Sequence, residues 1–218
     1  MKEYKHCLVI AITGGMGCGQ TSVARFMGKS GAKIINADEM AKKAIETNNE
    51  LQKEMKNTFG KSIFYRNNQL NRKRLASLVF QDESKLQKLN RMVHPRMVEL
   101  IVEEIEQARS SGKYKIIAID AALIFEINIE NMFDAIVVVA AYMKNRIDRI
   151  ARRDGHTHKH IADRIRSQIP IEDKIKWADY TIENNGTLKD TEQKTREVYN
   201  QLLELLKEKR RTRKSKRT

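Results

Sequence analysis

Residues 7–22, Cys7-Leu8-Val9-Ile10-Ala11-Ile12-Thr13-Gly14-Gly15-Met16-Gly17-Cys18-Gly19-Gln20-Thr21-Ser22, decide how this chain folds. Its first six residues are apolar without a break, as in a strand buried on both faces. Four of the ten glycines then fall within six residues, just before a helical pattern that begins at Thr21. Gly14 to Thr21 has the spacing of a phosphate-binding loop, G-x-x-x-x-G-K-[ST], with Gln20 where lysine is expected. Glycines there let successive backbone N–H groups point into one concavity, and the helix behind adds its positive end. Gly14, Gly15, Met16, Gly17, Cys18, Gly19, Gln20, Thr21 and Ser22 are therefore expected to hold the phosphates of ATP, with the Thr21 hydroxyl on a magnesium ion. The competing reading is an ordinary Gly-rich strand-to-helix turn. Gln20 can donate a hydrogen bond but carries no charge, so either turnover suffers or a cation from the later arginine-rich segment replaces the lysine.

Outward from this stretch, short apolar runs recur at Lys33–Asn36, Ile116–Asp120, Ala135–Ala140 and Tyr180–Ile182. Segments of helical period separate them: Thr21–Lys29, Asp38–Phe59, Arg72–Asn90, Pro95–Ser110, Asn145–Ile169 and Leu188–Lys209. Strands alternating with helices predict an α/β fold, a five-stranded parallel sheet flanked by helices. The stretch at about 47–112 is helical without a convincing strand and reads as an insertion off the sheet. A second helical excursion, about 145–178, separates the last two strands. Residues 1–206 read as one domain and 207–218 as a basic tail.

The 218 residues carry a net charge of +14, but KRRTRKSKRT at 209–218 holds seven basic residues and no acidic one, half of the surplus. Such a block is expected to be a solvated, disordered extension, or else to contact RNA or another polyanion. Apolar residues at 40% exclude a wholly disordered chain, and no apolar run reaches the ~20 residues that span a bilayer. Cys7–Ile12 is too short for a signal-peptide core. Two cysteines without CxxC spacing build no disulfide framework, which fits a soluble protein of the reducing cytoplasm.

Several separated blocks resemble the dephospho-coenzyme A kinase family, in the family's order, from about Leu8 to Leu206. AITGGMGCGQTSVA is similar to its LTGGIGSGKSTVA. Ile35-Asn36-Ala37-Asp38 resembles its DAD turn, with Asn36 for the first aspartate. Leu70-Asn71-Arg72-Lys73-Arg74-Leu75 with Val79-Phe80, and Leu89-Asn90 with His94-Pro95, resemble two helical blocks. Asp120-Ala121-Ala122-Leu123-Ile124-Phe125-Glu126 is similar to D-x-P-L-L-F-E, with Ala122 for proline. Arg149 and Arg153-Asp154 resemble its lid signature, Gln168 a downstream glutamine, and Ala178-Asp179 with Ile182-Glu183-Asn184-Asn185-Gly186 its closing block. The resemblance implies a P-loop kinase fold with a helical acceptor-binding insertion and an arginine-bearing lid. It also implies magnesium-dependent transfer of the ATP γ-phosphoryl group to the 3′-hydroxyl of dephospho-coenzyme A. The departures at Gln20, Asn36 and Ala122 keep open a weakened, nucleotide-binding relative, with RNA on the tail, or a kinase of another acceptor.

Single residues carry two readings each. Asp38 is either an N-cap or a carboxylate near the acceptor hydroxyl and the magnesium ion, and the resemblance favours the second. Asp120 ends a strand at the sheet's carboxyl edge, as a turn residue or in the magnesium and substrate neighbourhood. Arg149 and Arg153, four apart, share a helix face, either solvated or clasping ATP phosphates, which the resemblance prefers. Arg72 is expected either to contact the acceptor's phosphates or to be a surface helix charge, His94 to start a helix near the acceptor pocket, and Glu126 to be a structural acid or an acceptor-side contact. Asn185 and Gly186 are placed to touch adenine. His156, His158 and His160 read as surface residues rather than metal ligands.

Overall fold

The computed structural model describes residues 7–79, 82–154, 161–162, 165–166 and 168–215. The opening run forms β1 (Leu8–Gly14), buried at every position, and Gln20–Lys29 forms α1. β2 (Lys33–Asn36), β3 (Ile116–Asp120), β4 (Ala135–Ala140) and β5 (Tyr180–Glu183) complete a five-stranded sheet of order β2-β3-β1-β4-β5. β1 pairs in parallel with β3, opposing Ile12 to Asp120, and with β4, opposing Gly14 to Val139; β4 pairs in parallel with β5. The central strands are wholly buried, so their residues run apolar without alternation. Aspartates close the entry ends of β4 and β5. Asp134 exchanges bonds with Val9, and Asp179 accepts the Ile136 N–H at 2.7 Å.

Two compact units result: residues 1–35 with 105–218, which contain the sheet, and Asn36–Glu104. In the second unit the helical period read at Asp38–Phe59 divides into α2 (Ala37–Thr47) and α3 (Asn49–Phe59). The break has a local cause: Asn48 is extended and its Oδ1 accepts the Leu51 N–H at 2.8 Å, capping α3. The pattern read at Arg72–Asn90 is α4 (Arg72–Val79) followed by the start of α5 (Glu83–Ser111). α5 runs through His94-Pro95, so His94 lies inside a helix instead of starting one. Its start is set by Asp82, whose Oδ1 accepts the Lys85 N–H at 3.1 Å, and Pro95 removes one interior hydrogen bond. Leu51, Met55, Ile63, Leu75 and Val79 form this unit's own apolar core.

In the first unit α6 (Met143–Asp154) follows β4, and α7 (Ile171–Lys176) precedes β5. His156, His158 and His160 lie outside the described residues. The last helix, α8 (Leu188–Ser215), corrects the expectation of a disordered tail, because 209–215 continue it. Lys and Arg are good helix formers, no Gly or Pro interrupts them, and Lys209 Nζ lies 2.7 Å from Asp134 Oδ1. Both cysteines are free, and no described helix is long and apolar enough to cross a membrane.

Candidate functional site

β1 carries the glycine loop to the carboxyl edge of the sheet, where ligands of open α/β folds collect. Gly17 and Gly19 have φ of 80° and 89°, the left-handed region that glycine enters without strain, and the Cys18 N–H donates to Gly15 O at 3.0 Å. Gly19 caps α1 without a side chain. Among the described residues, no acceptor faces the N–H groups of Gly17, Gly19, Gln20 or Thr21, which leaves a run of donors for an anion. Thr21 is exposed at the first turn of α1.

The loop is clamped from two sides. Asn184, buried at the end of β5, donates through Nδ2 to Cys18 O at 2.8 Å and accepts from Thr191 Oγ1 at 2.7 Å. From α6, Arg146 Nε donates to Met16 O at 2.9 Å, while the Met16 N–H donates to Gln168 Oε1 at 2.8 Å. Any side chain at Gly15 would meet the Arg146 guanidinium, and one at Gly17 the Arg146 backbone. Close approach of α6 therefore requires those glycines. Burial pushes the Cys18 thiol up, opposed first by the charge of Arg146 and more weakly by Arg149. Replacing Gly19 with Ala would drive its Cβ into Asn184 Nδ2 at a positive φ. Gly19→Ala is expected to cost about 1–3 kcal/mol of stability and to weaken ATP binding at least about tenfold by misaligning the loop donors. Thermal melting and nucleotide titration of the variant measure both effects.

The other expected site residues divide by unit. In the sheet unit, Asp120 is 6% exposed and accepts from Gln20 Nε2 at 2.5 Å. Arg149 NH2 donates to Asn184 O at 2.8 Å, and Arg153 is exposed. Asn185 Oδ1 accepts the Tyr142 N–H at 2.7 Å, holding the β4–α6 junction, and Gly186 is exposed beside Asp190. Glu126 Oε1 is taken by Lys174 Nζ at 2.6 Å, so the structural reading of this acid is the one the geometry supports. In the other unit, Asp38 is exposed in the first turn of α2 and is not its cap. Asn36 Oδ1 takes that role, accepting the Glu39 N–H at 3.0 Å. Arg72 lies 3.8 Å from Glu46, both exposed, a pair that adds little stability. His94 is half-buried, which lowers its pKa by desolvation.

Sequence reading did not single out Arg146, Asn184 or Lys174. The first had a signal: it stands three residues before Arg149 and so shares its helix face. Asn184 adjoins Asn185, and nothing in the sequence says which of the two turns inward.

Comparison with known proteins adds to this geometry. The dephospho-CoA kinase family model matches residues 8–190. A dephospho-CoA kinase of Fusobacterium nucleatum is 34% identical over 183 residues, covering 84% of this chain and 92% of that protein. One of Bacillus licheniformis is 31% identical over 185 residues, 85% and 92% of the two chains. Among solved structures, a Thermus thermophilus protein superposes with a TM-score of 0.76 at 31% identity, covering 91% of this chain and 99% of that one. A dephospho-CoA kinase from Campylobacter jejuni does so with a TM-score of 0.62 at 25% identity, covering 89% and 96%.

Proposed function

The chain belongs to the dephospho-CoA kinase family, and from that premise we propose that it is a working kinase, phosphorylating the 3′-hydroxyl of dephospho-CoA with ATP. The observation that carries the reading is the glycine loop at the sheet's carboxyl edge, with its run of uncommitted N–H donors, inside a chain matched to the family over residues 8–190. In the transfer, the bond between the γ-phosphorus and the β,γ-bridging oxygen breaks and one to the 3′-oxygen forms. ADP leaves, and the hydroxyl proton passes to a base.

Asp38 is the base we assign, on its place directly after β2, its exposure, and its freedom from the capping role that Asn36 fills. The loop N–H groups hold the ATP phosphates, and Asn185 and Gly186, in the loop after β5, are assigned to the adenine. Both cysteines being free suits a reducing cytoplasm. A magnesium ion fits the oxygen donors of the sheet unit: the Thr21 hydroxyl and the Asp120 carboxylate beside Gln20, supplemented by the nucleotide's own phosphates. Among the described residues there is no cluster of three or more His, Cys, Asp or Glu. The magnesium ion would neutralise charge on the phosphates. With Asp38 its proposed role rests on the family resemblance.

The direct test incubates purified protein with ATP, magnesium and dephospho-CoA, and follows ADP and coenzyme A. Stoichiometric formation of both is expected. ATP binding without transfer would overturn the reading in favour of a nucleotide-binding relative, and transfer to other nucleosides in preference to dephospho-CoA would reassign the acceptor.

A further inference from the structure

Gln20 is not a weak substitute for a phosphate-binding lysine, because both N–H donors of its amide are already used. Nε2 donates to Ile12 O at 2.9 Å and to Asp120 Oδ1 at 2.5 Å, and a primary amide has two donors. The side chain is turned inward, and the loop gains from it neither charge nor a free hydrogen. Resting on the kinase reading, we propose that Arg146 supplies the missing charge, contacting the transferred phosphoryl group from α6.

Four observations converge on this arginine. It is 4% exposed, and among the described residues it has no carboxylate within ion-pair distance. A buried guanidinium without a counter-ion is costly, and an anionic ligand is what removes the cost. Its position is fixed, because Nε is anchored on Met16 O at 2.9 Å and the plane lies against Gly15, where no side chain would fit. Its two terminal amino groups have no hydrogen-bond acceptor among the described residues, and Arg146 lines a cavity of about 410 Å³ with Gln168, Arg166 and Glu172. Its charge is also felt within the loop, where it opposes the upward shift of the Cys18 thiol more than Arg149 does.

The arginines that the family resemblance favoured are less available. Arg149 spends NH2 on Asn184 O at 2.8 Å and leans NH1 towards Gly17 O at 3.5 Å. Arg153 is exposed and has interactions of its own. Arg146 combines a fixed stem with a free fork, which is the geometry that recognises phosphate oxygens in pairs.

The test compares natural protein with R146Q, R146K and the exchange variant Q20K/R146Q. Three quantities are read: kcat and KM for both substrates, thermal melting, and the affinities for ADP and for a non-hydrolysable ATP analogue. R146Q is expected to lose about 10²–10³-fold in kcat, the loss typical when one preorganised donor is removed from a developing charge. KM for dephospho-CoA should move less than about threefold, and the preference for the ATP analogue over ADP should shrink. Q20K/R146Q is expected to regain at least about tenfold of the lost kcat, which restoring a mere buttress of the loop would not do. R146K, charged but without the fork, should fall between. If R146Q melts early, R146K carries the test: a melting point kept and kcat lowered upholds the proposal, and kcat unchanged overturns it. R146Q retaining kcat within about threefold, or no recovery in the exchange variant together with an unchanged analogue-to-ADP ratio, also overturns it while leaving the kinase intact. If the natural protein transfers no phosphate, the kinase reading fails separately. The analogue-to-ADP ratio then decides alone: a lower ratio in R146Q upholds the Arg146 contact, and an unchanged ratio removes it.

Discussion

Asp38→Asn is expected to lower kcat for phosphoryl transfer to dephospho-CoA by about 10²–10⁴-fold, the span associated with a positioned general base, and to leave the protein folded. Asparagine keeps the size and removes only the charge and the basic oxygen. The fold has little stake in that charge. Asp38 is exposed, its side chain makes no hydrogen bond or ion pair among the described residues, and α2 is capped by Asn36. What is lost structurally is a carboxylate near a helix N-terminus, about 0.3–1 kcal/mol. Kinetics and melting on the same preparation separate the two effects. A variant with unchanged kcat would remove Asp38 from the chemistry. A variant that melts far below the natural protein would show that the residue carries structure the helix geometry does not reveal. Because Asn36 and Asp38 are two apart, Asn36→Ala is the matched control: it removes the cap and should cost about 0.5–2 kcal/mol.

The contrast between these two residues shows what the sequence could and could not announce. An unbroken apolar run is a local property, and β1, β3 and β4 follow from it because both sheet faces are covered. The loop is legible for the same reason, since its conformation is dictated by glycines a few residues apart. Caps were harder. Asp38 and Asn36 are both good N-cap types, and which one bonds depends on where β2 releases the chain. Asn48 interrupts a helical period without disturbing its polarity pattern, so two helices read as one. Pro95 misled in the other direction, because a long helix packed along the apolar core of the second unit tolerates one lost backbone bond. Arg146 was overlooked because its burial is non-local. The guanidinium is hidden only when α6 comes against Gly15 and Gly17, on either side of Met16, which lies 130 positions away in the chain.

Lys174→Met is expected to destabilise the sheet unit by about 3–5 kcal/mol, the cost of breaking a buried ion pair from one side. Lys174 is fully buried, and its ammonium donates to Glu126 Oε1 at 2.6 Å and to Ala122 O at 3.2 Å. The same carbonyl accepts the Thr13 hydroxyl at 3.2 Å, so the pair ties α7 and the turn after β3 to the strand that carries the glycine loop. Methionine fills the stem's volume but leaves Glu126 with neither oxygen satisfied, since Oε2 already lacks a partner among the described residues. The magnitude is checked by denaturant unfolding of the single variant and of Lys174→Met/Glu126→Leu. If the loss comes from an orphaned carboxylate, the double variant should recover most of it, because a buried pair exchanged for apolar groups of similar size is close to neutral. If the double variant stays as unstable as the single one, the ammonium matters through Ala122 O and not through its counter-ion. Activity adds the decisive comparison. A double variant that is stable but slow would mean that the pair shapes the loop's surroundings for transfer. One that is stable and fast would mean that this buried charge serves the fold alone, and that the phosphate chemistry draws its cations from α6.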